Sequence, residues 1–195
     1  LANNDVLYRD NQAHAEVLLL YPRTKVHQGD VEAVDAFKKL GKQLLDQHIL
    51  FDILPDERLT TAKRLSYRMV LDATKPQDLP TGLSSFKAPT TVRVSANRPA
   101  TGNEIDLHFV NYNREEPAKK RSPGGGIKDE KPIAVDGVSV DFVVPKGMKV
   151  SKIRFSTPEN PEASALEHVV KDGRVQFTLP SFLVYAVVRL ELAKE

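Results

Sequence analysis

Polar residues with side chains able to bind a ligand follow the ends of three predicted strands. These residues are Arg23, His27, Asp30, Asp56, Glu57 and Asp72. In open α/β sheets, ligands bind beyond the carboxyl ends of the strands, so this set predicts a polar site for a sugar or a small anion. Polar residues at such positions also cap helices and form turns, and this second interpretation stays open.

The carboxylates of this set raise the question of glycoside hydrolysis, which needs two carboxyl groups about 5 to 10 Å apart across the sugar. Asp56, Glu57 and Asp72 meet that requirement only loosely, as many pairs would in a chain with 26 acidic residues. A Gly-x-Ser-x-Gly motif, which positions a serine nucleophile, does not occur in the sequence. We therefore expect that the chain is not an enzyme.

Cysteine and histidine usage excludes further chemistry. The chain has no cysteine, so it can form no disulfide, no thiolate metal site and no cysteine nucleophile. None of its five histidines stands in a His-x-His or His-x-x-x-His pair, which would place two imidazoles on one metal ion. We expect neither a metal nor a cofactor.

Charge and hydropathy exclude two kinds of partner. The formal net charge is +2 over 195 residues, with acidic and basic residues interspersed, so no strong field attracts nucleic acid. No apolar run approaches the roughly 20 residues of a membrane span. The chain starts at Leu1 without an initiator methionine or a signal-peptide pattern, which indicates a fragment of a longer precursor. The compartment stays open, and export of the parent protein is compatible with the sequence.

Alternating strands and helices position the strand-end residues. The predicted strands are 16–22, 49–54 and 67–72, and the predicted helices are 31–47 and 60–65. The first strand is a continuous apolar run that ends at proline, as in a strand buried on both faces, and the second is another apolar run that stops at proline. The longer helix shows apolar residues at three- to four-residue spacing after a capping residue, Asp30. This order favours a small parallel sheet within residues 1–80.

Residues 91–195 predict an antiparallel β-sandwich, because short strands of alternating apolar and polar residues follow one another between turns. Between the two halves, prolines and glycine without periodicity indicate a linker at 81–90. The last strand, 183–192, is apolar on both faces, which favours a central place in a sheet. A segment at 115–131, rich in glycine and mixed charges, predicts a mobile hairpin loop.

Both halves of the chain resemble a known family. The matching segments are 15–22, 31–47, 51–59, 67–72, 107–113 and 172–192. They are similar to the C-terminal accessory region of large clan A glycoside hydrolases of the β-galactosidase-like group. In that family, a catalytic (β/α)8 barrel is followed by a flavodoxin-like domain related to class I glutamine amidotransferases, and a small β-domain comes last. Here the sequence passes from the third strand straight into 76–89, so the first domain would be truncated.

The resemblance implies an α/β plus all-β chain, in which a small parallel flavodoxin-like βαβ domain (1–80) precedes an antiparallel β-sandwich (91–195). It implies a non-catalytic accessory or assembly module of a protein of carbohydrate metabolism, with the catalytic barrel of the parent chain as partner. A homo-oligomer stays open. The competing hypothesis is a module that binds a carbohydrate or another small ligand at the strand ends or on a sandwich face.

Overall fold

A computed structural model describes residues 7, 8, 10–75, 77–100, 102–115 and 131–195. Within these ranges the protein is mostly sheet with few helices, and it contains two antiparallel sheets and one small parallel sheet. Of the predicted loop at 115–131, only the two end residues are described, so the prediction about its interior falls outside the described residues. Those two ends lie together, since the Glu115 amide donates to the Lys131 carbonyl oxygen at 2.9 Å.

The helices in the described ranges are α1 (Arg23–His27), α2 (Val31–Asp46) and α3 (Thr61–Leu65), and a 3-10 turn spans Asp56–Arg58. The strands there are β1 (Gln12–Ala13), β2 (Val17–Tyr21), β3 (Phe51–Pro55), β4 (Met69–Asp72), β5 (Ser85–Lys87), β6 (Val92–Arg98), β7 (Glu104–Asn111), β8 (Ser139–Val143), β9 (Met148–Ser156), β10 (Ser164–Ala165), β11 (Val169–Lys171), β12 (Arg174–Thr178) and β13 (Tyr185–Lys194). The described helices all precede β4, so the second half of the described chain is all-β.

The parallel sheet has β2 in the centre, with β3 on one side and β4 on the other. Val17 and Leu19 of β2 are buried in a small apolar cluster with Leu44 of α2. Leu40 and Phe37, one and two turns earlier on the same helix, pack against that cluster. The apolar spacing that predicts helix α2 therefore creates the face that covers this sheet.

The two antiparallel sheets pack through one shared core. The six-stranded sheet has the order β1-β6-β7-β13-β9-β10, and the four-stranded sheet has the order β11-β12-β8-β5. In β8, Val140 and Phe142 are buried, whereas Ser139 and Asp141 are partly exposed. Strand β12 alternates in the same way, and the inward-facing apolar side chains of both sheets form one cluster. Antiparallel sheets with one buried and one solvated face show this pattern.

The final strand β13 lies between β7 and β9, so the predicted central place of this segment is confirmed. Val188 and Leu190 point into the core and have no exposed surface. Val187 on the opposite face is only 3% exposed. Burial on both faces explains why the sequence is apolar at successive positions here, since the strand pairs on both edges and is covered on both sides.

The parallel sheet and the sandwich are attached by strands as well as by side chains. Strand β1 precedes β2 in the chain but pairs with β6 of the six-stranded sheet. Strand β5 lies within the predicted linker 81–90 and pairs with β8 at the edge of the four-stranded sheet. The His48 ring nitrogen Nε2 donates to the Pro89 carbonyl oxygen at 3.1 Å. Arg93 forms an ion pair of 3.2 Å with Asp46 of α2. The division into two domains at 80 and 90 stays a prediction.

A buried carboxylate occupies the joint between the parallel sheet and the four-stranded sheet. Glu16 is 7% exposed, and its Oε2 accepts a hydrogen bond of 2.8 Å from the Ser84 amide. Its Oε1 lies 3.6 Å from the Arg68 guanidinium. Arg68 and Arg174 both donate to the Gly82 carbonyl oxygen, at 2.9 and 3.2 Å. The charges of this joint are therefore compensated, as buried carboxylates require.

Candidate functional site

The structure brings together three of the residues predicted to form a strand-end site. Arg23 at the start of α1 forms an ion pair with Glu57 in the 3-10 turn after β3. The backbone amide and hydroxyl of Thr24 lie 3.4 and 3.3 Å from Asp56 Oδ1, to which both donate. Burial acts to raise the pKa of Asp56, but the hydrogen bonds from Glu57 and Thr24 outweigh it and lower that pKa. These contacts join the loops after β2 and β3.

The other predicted residues bond to their own turns. Asp30 caps α2, since its Oδ1 accepts a hydrogen bond of 3.0 Å from the Ala33 amide. Asp72 Oδ1 accepts from the Thr74 amide and hydroxyl at 3.0 and 2.7 Å. Burial acts to raise the pKa of Asp72, but the hydrogen bonds from Thr74 and Lys75 outweigh it and lower that pKa. His27 is the last residue of α1.

The contacts of Asp30 and Asp72 are those of a helix cap and a turn. Within the described residues, neither Asp30 nor Asp72 bonds to the Arg23–Glu57 pair. Carboxylates that accept hydrogen bonds from the first amides of a helix or turn stabilise that element. Capping and turn formation account for the bonds of Asp30 and Asp72, whereas Arg23, Asp56 and Glu57 form bonds between two loops. A ligand site at the strand ends stays a prediction.

Sequence reasoning missed a groove on the outer face of the four-stranded sheet. Its volume is about 740 Å³. Its floor consists of the outward-facing polar residues of β5, β8 and β12: Ser85, Lys87, Ser139, Asp141, Gln176 and Thr178. Glu167 and His168, just before β11, and Val169, its first residue, line one side. We call this feature the polar groove.

The sequence carries part of the signal for the polar groove. Polar residues alternate with buried apolar ones in each floor strand, but that alternation is typical of any solvated sheet face. The three floor strands are far apart in the chain, and the sequence predicts a linker where β5 lies. Only the pairing of β8 with both β5 and β12 collects their polar side chains on one surface.

A second polar cluster lies on the outer face of the six-stranded sheet. Arg189 donates two hydrogen bonds of 2.7 Å to the Asp106 carboxylate, which has no exposed surface. The Tyr185 hydroxyl lies 2.6 Å from His108 Nδ1 and accepts a hydrogen bond of 3.1 Å from Tyr8. Burial lowers the pKa of His108 and raises that of Tyr185. In the described part of the chain, His108 Nε2 has no hydrogen-bond partner. The network ties β7 to β13.

His14 lines a cleft of about 300 Å³ between the parallel sheet and the six-stranded sheet. The Arg98 Nε donates a hydrogen bond of 3.1 Å to His14 Nδ1, so that nitrogen carries a lone pair and no proton. Burial, with a smaller effect of the positive charge of Arg98, lowers the pKa of His14 from 6.5 to about 4. At neutral pH the ring is therefore an uncharged acceptor.

Two further observations concern metals and membranes. Among the described residues, no group of three or more His, Asp or Glu side chains is placed to hold a metal ion. In the same part of the chain, no helix is both long and apolar enough to cross a lipid bilayer. The expectations of no metal, cofactor, membrane or nucleic-acid partner stay predictions.

Comparisons with known proteins identify no family. No family profile and no curated protein matches the chain. Among solved structures, it is similar to an α-L-fucosidase isoenzyme 2 from Paenibacillus thiaminolyticus, at 20% identity and a TM-score of 0.46, over 57% of this chain and 16% of that one. It is also similar to a cycloisomaltooligosaccharide glucanotransferase from Paenibacillus sp., at 17% identity and a TM-score of 0.41, over 58% and 17% of the two chains.

A third similar structure is a glycoside hydrolase family 30 subfamily 8 xylanase from Clostridium acetobutylicum. The identity is 16% and the TM-score 0.29, over 60% of this chain and 25% of that one. The chain thus spans a quarter or less of the length of each of these three proteins. TM-scores below 0.5 do not establish a shared fold, so these likenesses remain partial similarities to carbohydrate-active proteins.

Proposed function

We propose that the chain is a non-catalytic accessory module of a glycoside-hydrolase-like protein, with the catalytic barrel of its parent chain as partner. The observation that carries the proposal is the attachment of the parallel sheet to the sandwich through the buried Glu16, which bonds to Ser84 and pairs with Arg68. The hydrogen bond from the Ser84 amide to the buried Glu16 carboxylate holds the two layers in one orientation, because separating the layers would break it. Such a rigid unit suits a role in assembly.

The strand order supports a flavodoxin-like origin of the parallel sheet. The first parallel strand is central, the second lies on one side and the third on the other. Flavodoxin-like sheets begin with this order, 2-1-3, before further strands are added. In this proposal the sheet is a truncated flavodoxin-like, glutamine-amidotransferase-like subdomain that has kept its first three strands.

The bonds at the strand ends support a non-catalytic role. Asp56 and Asp72 both accept hydrogen bonds that lower their pKa, so both are ionised at neutral pH. A general acid for glycosidic cleavage needs the opposite, a carboxyl group whose raised pKa keeps it protonated. Asp56 and Asp72 therefore lack the raised pKa that a general acid needs.

The catalytic part of the proposal is tested with the 195-residue chain itself. We expect no turnover of a panel of aryl glycosides, aryl esters and aryl amides above the uncatalysed rate. If turnover occurs, Asp56→Asn and Asp72→Asn should be compared with Asp78→Asn, an exposed aspartate in the segment after β4. Activity that the first two variants lose and the third retains would overturn the non-catalytic role.

The assembly part is tested on the parent gene. We expect an upstream reading frame that encodes a barrel with paired carboxylates, and we expect deletion of residues 1–195 to lower the melting temperature or soluble yield of that barrel. A reading frame that opens at Leu1, or a barrel whose stability and yield are unaffected by the deletion, would contradict the accessory role.

A second candidate function is the binding of a carbohydrate or another small ligand. The observation that favours it is the polar groove, whose volume of about 740 Å³ lies within the range of small-molecule sites. This function does not compete for the same surface as the joint at Glu16, since the groove lies on the outer face of the four-stranded sheet. One chain can therefore carry both functions.

A further inference from the structure

We propose that the polar groove binds a neutral oligosaccharide, by hydrogen bonds from the sheet floor to the sugar hydroxyls. The inference rests on the second candidate function and not on the accessory role. It names one site and one chemical class of ligand, whereas the sequence left both the strand ends and the sandwich faces open as sites.

The floor of the groove is an ordered array, because strand register fixes which side chains stand side by side. Ser85 and Gln176 both pair with Asp141, so the three form one row across the sheet. Lys87 and Thr178 both pair with Ser139 and form the next row. Neighbouring strands are about 4.8 Å apart, and rows two residues apart are about 7 Å apart. The six side chains therefore cover an area that a ligand of several sugar units can span.

The chemistry of this array matches hydroxyl groups. Serine and threonine hydroxyls donate and accept, a glutamine amide does both, and lysine donates. A sugar hydroxyl also donates and accepts, so it can pair with any member of the array. Ser139 is the middle residue of its row, and Gln176 lies beside Asp141, the middle residue of the other row, so most ligands on this floor would contact Ser139 or Gln176.

The charges in the groove favour a neutral ligand. Asp141 Oδ1 accepts a hydrogen bond of 2.8 Å from Arg174 Nε, so the carboxylate on the floor already has its counter-ion. Lys87 on the floor and Glu167 on the side carry opposite charges. Because acidic and basic groups both line the groove, an anion or a cation would meet a like charge as well as an opposite one.

The side of the groove adds an imidazole and an apolar contact. His168 Nδ1 lies 3.1 Å from the Leu166 carbonyl oxygen, which can only accept, so Nδ1 is the donor of this bond and Nε2 is the ring nitrogen left for a ligand. Val169 is 61% exposed and pairs with Gln176 in register, which extends the first row by one apolar side chain. An exposed valine beside polar groups offers contact to the C–H face of a sugar ring.

The test is a titration of the 15N-labelled chain with neutral tetrasaccharides, namely cellotetraose, xylotetraose and isomaltotetraose, followed by NMR. We expect at least one of them to shift the amide signals of β8 and β12. The double variant Ser139→Ala/Gln176→Ala should weaken that sugar at least fivefold while keeping the melting temperature. The matched control is Gln12→Ala, an exposed glutamine of the six-stranded sheet, which should bind like the parent.

Three outcomes would overturn the proposal. One is no shift of β8 and β12 signals with any neutral sugar, and another is equal weakening by Gln12→Ala. The third is a shift of these signals with a charged oligosaccharide (oligogalacturonate, or chitotetraose with free amines) or with an extended peptide, but with no neutral sugar. The deletion of residues 1–195 from the parent protein is measured without sugar. The absence of sugar binding in the groove and the failure of the accessory role are therefore separate results.

Discussion

The central strand β13 supports a sharp stability prediction at Val188. This side chain has no exposed surface and lies in the shared core, paired in register with Leu107 and Phe155 of the flanking strands. Val188→Ala removes two buried methyl groups and leaves a cavity between two sheets that cannot close fully. The transfer and cavity terms together cost about 1.5 to 3 kcal/mol. Val188→Asp also buries a carboxylate without a partner, which adds several kcal/mol.

These losses are large compared with the 5 to 15 kcal/mol that typically stabilises a domain of about this size. We therefore expect Val188→Ala to lower the midpoint of urea unfolding, followed by circular dichroism, with an unchanged slope. We expect Val188→Asp to yield no soluble protein. The chain has no tryptophan, so circular dichroism or tyrosine fluorescence must report unfolding.

Val170 supplies the matched control, since it is a valine in a strand but is 48% exposed on the edge strand β11. Val170→Ala should change the unfolding free energy by less than about 0.5 kcal/mol, and Val170→Asp should express as the parent does. If Val188→Asp expresses and melts like the parent, or if both alanine variants cost the same, β13 is not the centre of the core and the sandwich assignment fails.

Two further sets of variants test the buried polar groups. Burial and the charge of Arg98 lower the pKa of His14 from 6.5 to about 4, so the folded chain binds fewer protons than the unfolded one between these values. The free energy of unfolding should therefore fall by up to about 3 kcal/mol as the pH drops from 6.5 to 4. Urea unfolding of His14→Gln at several pH values should show a weaker pH dependence. If the pH dependence of this variant equals that of the parent, His14 is not the group responsible. Arg189→Met leaves the fully buried Asp106 unpaired and should cost about 3 to 5 kcal/mol. Arg154→Met, in an exposed pair, should cost less than about 1 kcal/mol, and equal losses would contradict the reasoning.

Local features of the fold were predictable because each depends on a few neighbouring residues. The helix α2 follows from its apolar spacing and from Asp30, whose side chain caps it as the sequence indicates. Strands β2 and β3 follow from apolar runs that end at proline. The alternation in β8 and β12 reports which side chains face the core. The central place of β13 follows from its two apolar faces, since such a strand is unsuited to an exposed edge.

Of the candidate site, the sequence predicted polar residues at the strand ends but could not choose between a ligand site and caps. That choice depends on which loops meet. Arg23 and Glu57 are 34 residues apart, and they form an ion pair only because β2 and β3 are parallel neighbours that end together. Asp72 follows the third strand of the same sheet but bonds to its own turn.

The polar groove and the joint between the layers were decided by tertiary structure alone. β5 and β12 lie almost ninety residues apart, yet both pair with β8, and the register of those pairs sets the rows of the groove floor. Likewise, β1 comes directly before the parallel sheet in the chain but pairs with β6 of the six-stranded sheet. The sequence of a strand specifies its buried face, whereas its neighbour is chosen by the packing of the whole core. Strands that are far apart in the chain stabilise each other only after they meet. No local sequence pattern therefore predicts the surface that they form together.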